Sequence, residues 1–213
     1  MSSEIHERIY KPDNLLYTIA LPRTYLADQP TPLILALHFA GHGAPFYGRL
    51  ILTELVEPAL RELGAIILAP DCTGPDWTHS QSESDVLTLL DHILEKHNVD
   101  PNRVLITGYS MGGIGTWHLA SRYQERFSGA LIMAGLPPAN ITNIDWKIPF
   151  YIIQSRDDQF MPIQPTQDAV ERLSSTGASV ELVLLHGITH FETYRYVEPL
   201  MDAVPWIEKT WKS

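Results

Sequence analysis

A single cysteine, Cys72, stands among 213 residues. An internal disulfide is therefore impossible, and the chain fits a reducing compartment such as the cytoplasm without demanding one. No stretch approaches the roughly 18 consecutive apolar residues that a membrane span requires, so none is expected. Basic residues are few, 15 Lys and Arg against 25 Asp and Glu, giving a formal net charge of −10. Binding to phosphate backbones draws on clustered Lys and Arg, so nucleic acid is not an expected partner. The opening residues from Met1 to Arg8 lack both the basic start and the apolar stretch of a secretory signal. Export is not expected on that ground, although a processed chain would look the same.

Several motifs are missing as well. Neither H-E-x-x-H nor paired cysteines occur, so His38 and His42 are read as turn histidines, and no metal is expected. Gly41-His42-Gly43 is too short for a phosphate loop, and G-x-x-x-x-G-K-[ST] and G-x-G-x-x-G are both absent, so no cofactor is implied. Fixed-period repeats, low-complexity tracts and Gly/Ser linkers are also lacking, which leaves one domain over residues 1–213 as the expectation.

What is present is an alternation. Short, continuously apolar runs occupy residues 33–39, 65–69, 104–107, 129–134, 150–154 and 180–185, and such runs suit parallel strands covered on both faces. Between them, residues 84–97 repeat Val86, Leu87, Leu90, Ile93 and Leu94 at helical spacing, and residues 50–63, 111–123 and 164–176 follow the same scheme. Strand alternating with helix predicts a doubly wound, mostly parallel α/β fold. Residues 15–25, which contain Pro22, read as an edge strand or hairpin. Residues 192–211, interrupted by Pro199 and Pro205, read as two short helices.

Gly108-Tyr109-Ser110-Met111-Gly112 matches G-x-S-x-G between the 104–107 run and a helical stretch. A serine on such a strained strand-to-helix turn stands above the sheet, with the helix N-terminus aimed at it. A serine hydroxyl is a poor nucleophile at neutral pH and needs a base, itself oriented by an acid. In this arrangement the chain order is Ser, then Asp or Glu, then His. Asp157 and Asp158 follow the 150–154 run and His190 follows the 180–185 run, where sites assemble at strand carboxyl ends.

The segment from Asp100 to Gly113, with the elbow inside it, resembles small α/β-hydrolases of the carboxylesterase and acyl-protein thioesterase kind. The stretch Gly115-Thr116-Trp117-His118-Leu119-Ala120 is similar to a predicted esterase/peptidase group allied to feruloyl esterases. The resemblance implies a single-domain α/β-hydrolase fold with Ser110 as nucleophile. In such families the acid stands in a D-x-x-x-P pattern, which Asp158 to Pro162 matches and Asp157 misses by one residue. The base ends a G-x-x-H segment, which selects His190 and leaves His186 as the spare. His6, His92, His97 and His118 are read as surface residues. The family's H-G-x-G loop corresponds to His38-Phe39-Ala40-Gly41, which assigns the oxyanion donors to the N–H groups of Met111 and Ala40. Phe39 stands where glycine is usual, which leaves Phe39 itself as an alternative donor or as part of the acyl pocket. Tyr109 and Trp77 are further pocket candidates, and Trp77 could instead seal its loop onto the domain.

These residues together predict a serine esterase that takes a small-molecule ester through an acyl-enzyme. Residues 136–149 are too few for a helical cap, so the site should be open and suited to short-chain acyl esters. Two rivals use the same triad, a peptidase and an acyl thioesterase. A third is a hydrolase-fold protein that holds its ligand with little turnover.

Overall fold

The computed structural model describes residues 2–41 and 43–212. Eight strands form one sheet: β1 (Glu4–Tyr10), β2 (Leu15–Leu21), β3 (Thr31–Leu37), β4 (Ile66–Pro70), β5 (Val99–Tyr109), β6 (Gly129–Met133), β7 (Phe150–Ser155) and β8 (Val180–Leu185). Their spatial order is β1-β2-β4-β3-β5-β6-β7-β8. The pairs from β4 through β8 are parallel, and β1–β2 and β2–β4 are antiparallel.

Why the strands read as unbroken apolar runs is plain in β3, where every residue is buried. Leu33, Leu35 and Leu37 enter one apolar layer, and Ile34 and Ala36 enter the other. The first layer is covered by α3 (Ser80–Lys96), α4 (Met111–Arg122) and α5 (Ile163–Ser175), through residues such as Leu89, Trp117 and Leu173. The second is covered by the helical segment from α1 (Gly48–Ile51) to α2 (Glu57–Leu60), and by α6 (Val197–Met201) and α7 (Val204–Thr210). Each fully buried Leu or Ile contributes about 1.5–3 kcal/mol, so a sheet sandwiched in this way carries most of the stability.

Some elements depart from the sequence expectations. The first strand pair is a hairpin, but β2 is internal and the edge is β1, whose charged and largely exposed residues hide it from an apolar-run reading. Pro22 lies just beyond β2 and accepts a turn hydrogen bond from Tyr25 N–H, so it interrupts nothing. The 50–63 helix contains a π-helical turn, Leu52–Val56, directly before α2. Pro58 accounts for the widening, because its ring would collide with the carbonyl four residues back in a regular helix. Strand β5 begins five residues earlier than its apolar run, and the register shift between Thr31 and Leu33 accommodates Pro101 and Asn102. Helix α3 begins at Ser80 because His79 caps it, its Nδ1 accepting Gln81 N–H at 3.3 Å, and Asp76 Oδ1 holds the turn ahead of it by receiving the Thr78 and His79 N–H groups. In the last stretch, a 3-10 turn (Thr193–Tyr196) precedes the two short helices. Among the described residues no helix is long and apolar enough to cross a membrane.

Helix α4 lies unusually close to the sheet. A Cβ on Gly112 would stand 1.9 Å from the Leu37 carbonyl oxygen, a backbone atom that cannot swing aside. Gly112→Ala should therefore lower stability by about 1–3 kcal/mol, the usual cost of overpacking, read as a fall in the urea midpoint. An unchanged midpoint would show that the helix has room to retreat.

Candidate active site

Ser110 sits between β5 and α4 with φ 56° and ψ −118°, a left-sided backbone conformation costing about 1–3 kcal/mol for a residue with a side chain. Neighbouring hydrogen bonds hold it there. Ser110 N–H donates to Met133 O at 3.0 Å on β6, and Ser110 O accepts the first helical bond from Ile114 N–H at 3.0 Å. Gly108 permits the sharp reversal, since a Cβ there would lie 2.2 Å from Gly112 O.

The fold brings three side chains from separate loops into one line. Ser110 Oγ lies 2.8 Å from His190 Nε2, and His190 Nδ1 lies 2.7 Å from Asp158 Oδ2. All three residues are buried, yet Ser110 and His190 line a cleft of about 610 Å³. The other Asp158 oxygen, Oδ1, accepts the N–H groups of Phe160 at 2.9 Å and Met161 at 2.8 Å. Burial alone would raise the Asp158 pKa, but the bonds from His190, Met161 and Phe160 outweigh it and hold the carboxyl below its ordinary value. An ionised carboxylate there fixes the imidazole with Nδ1 protonated and Nε2 turned to the serine.

Asp157, one residue earlier, is exposed and accepts Gly187 N–H at 2.6 Å, which ties the β7 loop to the loop carrying His190. His186 is exposed at the end of β8. Tyr109 lies beneath the site: its hydroxyl donates to His190 O at 2.7 Å, and burial pushes its phenol far above the ordinary value, so it remains a donor. It is also part of the cleft lining, although only 1% exposed.

The β3 loop is locked through His38, which is buried. Cys72 N–H donates to His38 Nε2 at 3.0 Å, so that nitrogen is unprotonated and the proton lies on Nδ1, which donates to Phe39 O at 2.7 Å. Burial lowers the His38 pKa and keeps the ring neutral. In a trans peptide the N–H of Ala40 points opposite to the Phe39 carbonyl, so fixing that carbonyl fixes the Ala40 N–H as well. Phe39, Ala40 and Met111 all line the cleft beside Ser110.

Trp77 corrects the sequence reading that offered it to substrate. It is 1% exposed, donates from Nε1 to His38 O at 2.9 Å, and packs edge-on against the His38 ring at 5.0 Å. Its large apolar ring is more stable sealing the loop than facing water. His6, His92, His97 and His118, read from the sequence as surface residues, are half-buried, whereas His79 is exposed. His118 Nε2 meets Glu83 Oε2 at 2.5 Å, His97 meets the Tyr25 hydroxyl at 3.2 Å, and His92 packs on Tyr10. Among the described residues no three His, Cys, Asp or Glu side chains gather as metal ligands, and His42 lies outside those residues.

Sequence reasoning missed the rim of the cleft. Phe160 is 57% and Phe191 74% exposed, with ring centroids 5.2 Å apart, and each stands within 6 Å of the His190 ring centre. Met161, Ile114, Thr193 and the exposed Glu54 also line the cleft. The available signal was adjacency, since Phe160 lies inside the D-x-x-x-P stretch and Phe191 directly follows His190. Gln159 was missed too, and its Oε1 accepts His190 N–H at 3.1 Å.

Because the folded state depresses the Asp158 pKa, its ionisation stabilises the fold above the unfolded value of about 3.9, and that contribution is lost as pH falls through the folded value. Asp158→Asn should make the decline of urea midpoint between about pH 5 and pH 2 shallower than in the wild type. An equally steep decline would count against a favoured carboxylate.

The sheet and helices correspond to the α/β-hydrolase fold. FphF, a fluorophosphonate-binding serine hydrolase of Staphylococcus aureus, superposes with a TM-score of 0.79 at 14% identity, covering 97% of this chain and 99% of its own. Protein usf of Aquifex pyrophilus is 26% identical over 47% of this chain and 44% of its own length. Feruloyl esterase B of Thermothelomyces thermophilus is 30% identical over 63% of this chain and 45% of its own. The matched stretches thus span less than half of each of these two curated relatives. The sequence model of the dienelactone hydrolase family matches residues 72–198, which include Ser110, Asp158 and His190 and make up more than half of the chain; the chain belongs to the dienelactone hydrolase family.

Proposed function

We propose that the protein is a serine carboxylesterase in which Ser110 is the nucleophile, His190 the general base and acid, and Asp158 the group that orients the imidazole. The unbroken line of contacts, 2.8 Å from Ser110 Oγ to His190 Nε2 and 2.7 Å from His190 Nδ1 to Asp158 Oδ2, carries this reading. His190 takes the serine proton as Oγ attacks the ester carbonyl. The tetrahedral oxyanion accepts hydrogen bonds from Met111 N–H, at the N-terminus of α4, and from Ala40 N–H. Collapse expels the alkoxide, which receives its proton from His190 Nε2, and water then repeats the sequence on the acyl-enzyme.

The choice of Ala40 over Phe39 for the second donor is supported by the His38 bond to Phe39 O, which pre-orients the next N–H. A preorganised donor needs no rearrangement when charge develops, and this is what gives an oxyanion hole its effect. Phe39 contributes its ring to the cleft wall instead.

Carboxylic esters with short acyl chains are the proposed substrates. Support comes from the open mouth, bordered by the exposed Phe160 and Phe191, and from the connection between β6 and β7, whose secondary structure is one 3-10 turn, Ile141–Asn143. The family and the feruloyl esterase relative agree with ester chemistry.

Ser110→Ala should lower turnover of 4-nitrophenyl butyrate by roughly ten-thousand-fold or more while leaving the circular dichroism spectrum unchanged. A fluorophosphonate probe should label Ser110 alone, as judged by peptide mass analysis. Residual activity near wild type, or an adduct on another residue, would overturn the assignment.

A further inference from the structure

A second cavity, of about 440 Å³, adjoins the Ser110 cleft. The two share Ala40 and Met111, the pair proposed above as oxyanion donors, so those residues form the ridge between them. Ser110, His190 and the Phe160–Phe191 rim belong to the cleft alone. The second cavity is built instead from the ends of β2, β3 and β4, with Asn14, Tyr47, Asp71 and Thr73 among its lining. In the sheet, β4 lies on the side of β3 away from β5, so this cavity and the serine elbow flank the oxyanion loop.

That placement divides an ester in two. With Oγ bonded to the carbonyl carbon and the oxyanion held at the ridge, the remaining substituents point to opposite sides. The alkoxy oxygen must stay within reach of His190 Nε2 to receive its proton, which puts the alcohol in the aromatic cleft. The acyl chain then runs over the ridge, toward β4.

The charges lining the cavity are one-sided. Asp71 is its one acidic residue, and among the described residues no Lys or Arg lines it. Burial keeps its histidine, His38, neutral and pushes the Cys72 thiol upward, so neither offsets the carboxylate. Asp71 is held in place: its N–H donates to Leu16 O at 2.9 Å, and its Oδ1 accepts Gly48 N–H at 2.9 Å at the start of α1. A carboxylate so fixed meets an incoming charge without first having to be ordered.

We propose that this cavity is the acyl-chain site and that Asp71 makes it select acyl groups ending in a cation over those ending in an anion. The inference rests on acyl transfer at Ser110. It names a class of substrate by its acyl side, an ester with a neutral or cationic acyl tail; the alcohol side meets the aromatic rim together with Glu54.

Three 4-nitrophenyl esters with one leaving group test it: 4-(trimethylammonio)butanoate, its tert-butyl isostere 5,5-dimethylhexanoate, and 4-sulfobutanoate. In the wild type kcat/KM should fall in that order, with about tenfold or more between cation and sulfonate. Asp71→Asn keeps an oxygen for Gly48 N–H and should reduce the cation-to-sulfonate ratio by about tenfold. Thr73→Lys, an exposed lining position, should raise the sulfonate ester relative to the neutral isostere by a similar factor, which covers the case that the Asp71 variant fails to fold. Choline butyrate against 3,3-dimethylbutyl butyrate moves the charge to the alcohol, and Asp71→Asn should shift that ratio by less than about twofold. Ratios that neither variant alters would overturn the proposal, and a larger shift in the choline pair would reverse the two sites. Ester turnover that survives Ser110→Ala would instead remove the acyl-enzyme reading beneath it.

Discussion

The site depends on how closely helix α4 is pressed onto the sheet. Ser110 can occupy its strained conformation because Gly108 and Gly112 let the chain reverse against the Leu37 and Gly112 carbonyls, where a Cβ would overlap backbone. The Met133 bond on β6 then prevents relaxation. Two consequences follow from one packing constraint. The hydroxyl is raised above the strand ends, and Met111, the first residue of the helix, lines the cleft beside it.

The rest of the site is assembled by loops that hold one another. Asp157 binds the backbone at Gly187, Gln159 binds the His190 N–H, and Tyr109 binds the His190 carbonyl, so the imidazole is anchored from three directions before Asp158 orients its ring. On the opposite side, Trp77, His38 and Cys72 form a chain of bonds that ends at the Phe39 carbonyl. Of these supports Tyr109, Trp77 and His38 are buried, and in that low-dielectric setting their bonds hold geometry firmly, whereas Asp157 and Gln159 act from the surface. Outside them the mouth carries the exposed rings of Phe160 and Phe191, with Glu54 and Thr193 also in the cleft lining.

The layered order of strands and helices was legible because it is written in local apolar periodicity, and β3, β4, β6, β7 and β8 follow that pattern nearly to their ends. Strand β1 was not legible, since an exposed edge has no apolar side to display. Nor was the first part of β5, where Pro101 and Asn102 look like a turn and pairing passes them through a register shift. Trp77 was ambiguous for a related reason: a tryptophan in a loop has one composition and two possible environments, and only the His38 carbonyl placed opposite Nε1 decides between them.

By itself, the sequence determined the layer order and the strand-to-helix turn at Ser110, because both depend on neighbours a few residues away: alternation within a strand and glycines two positions either side of the serine. Residue order left Asp157 beside Asp158 and His186 beside His190, and family resemblance had to choose. Tertiary structure decided where each of these side chains points, which way the Ala40 N–H turns, and that Phe160 and Phe191 meet across the cleft. Those outcomes turn on partners far apart in the chain, such as Gly187 for Asp157 and Cys72 for His38. No local pattern records a partner that only folding brings near.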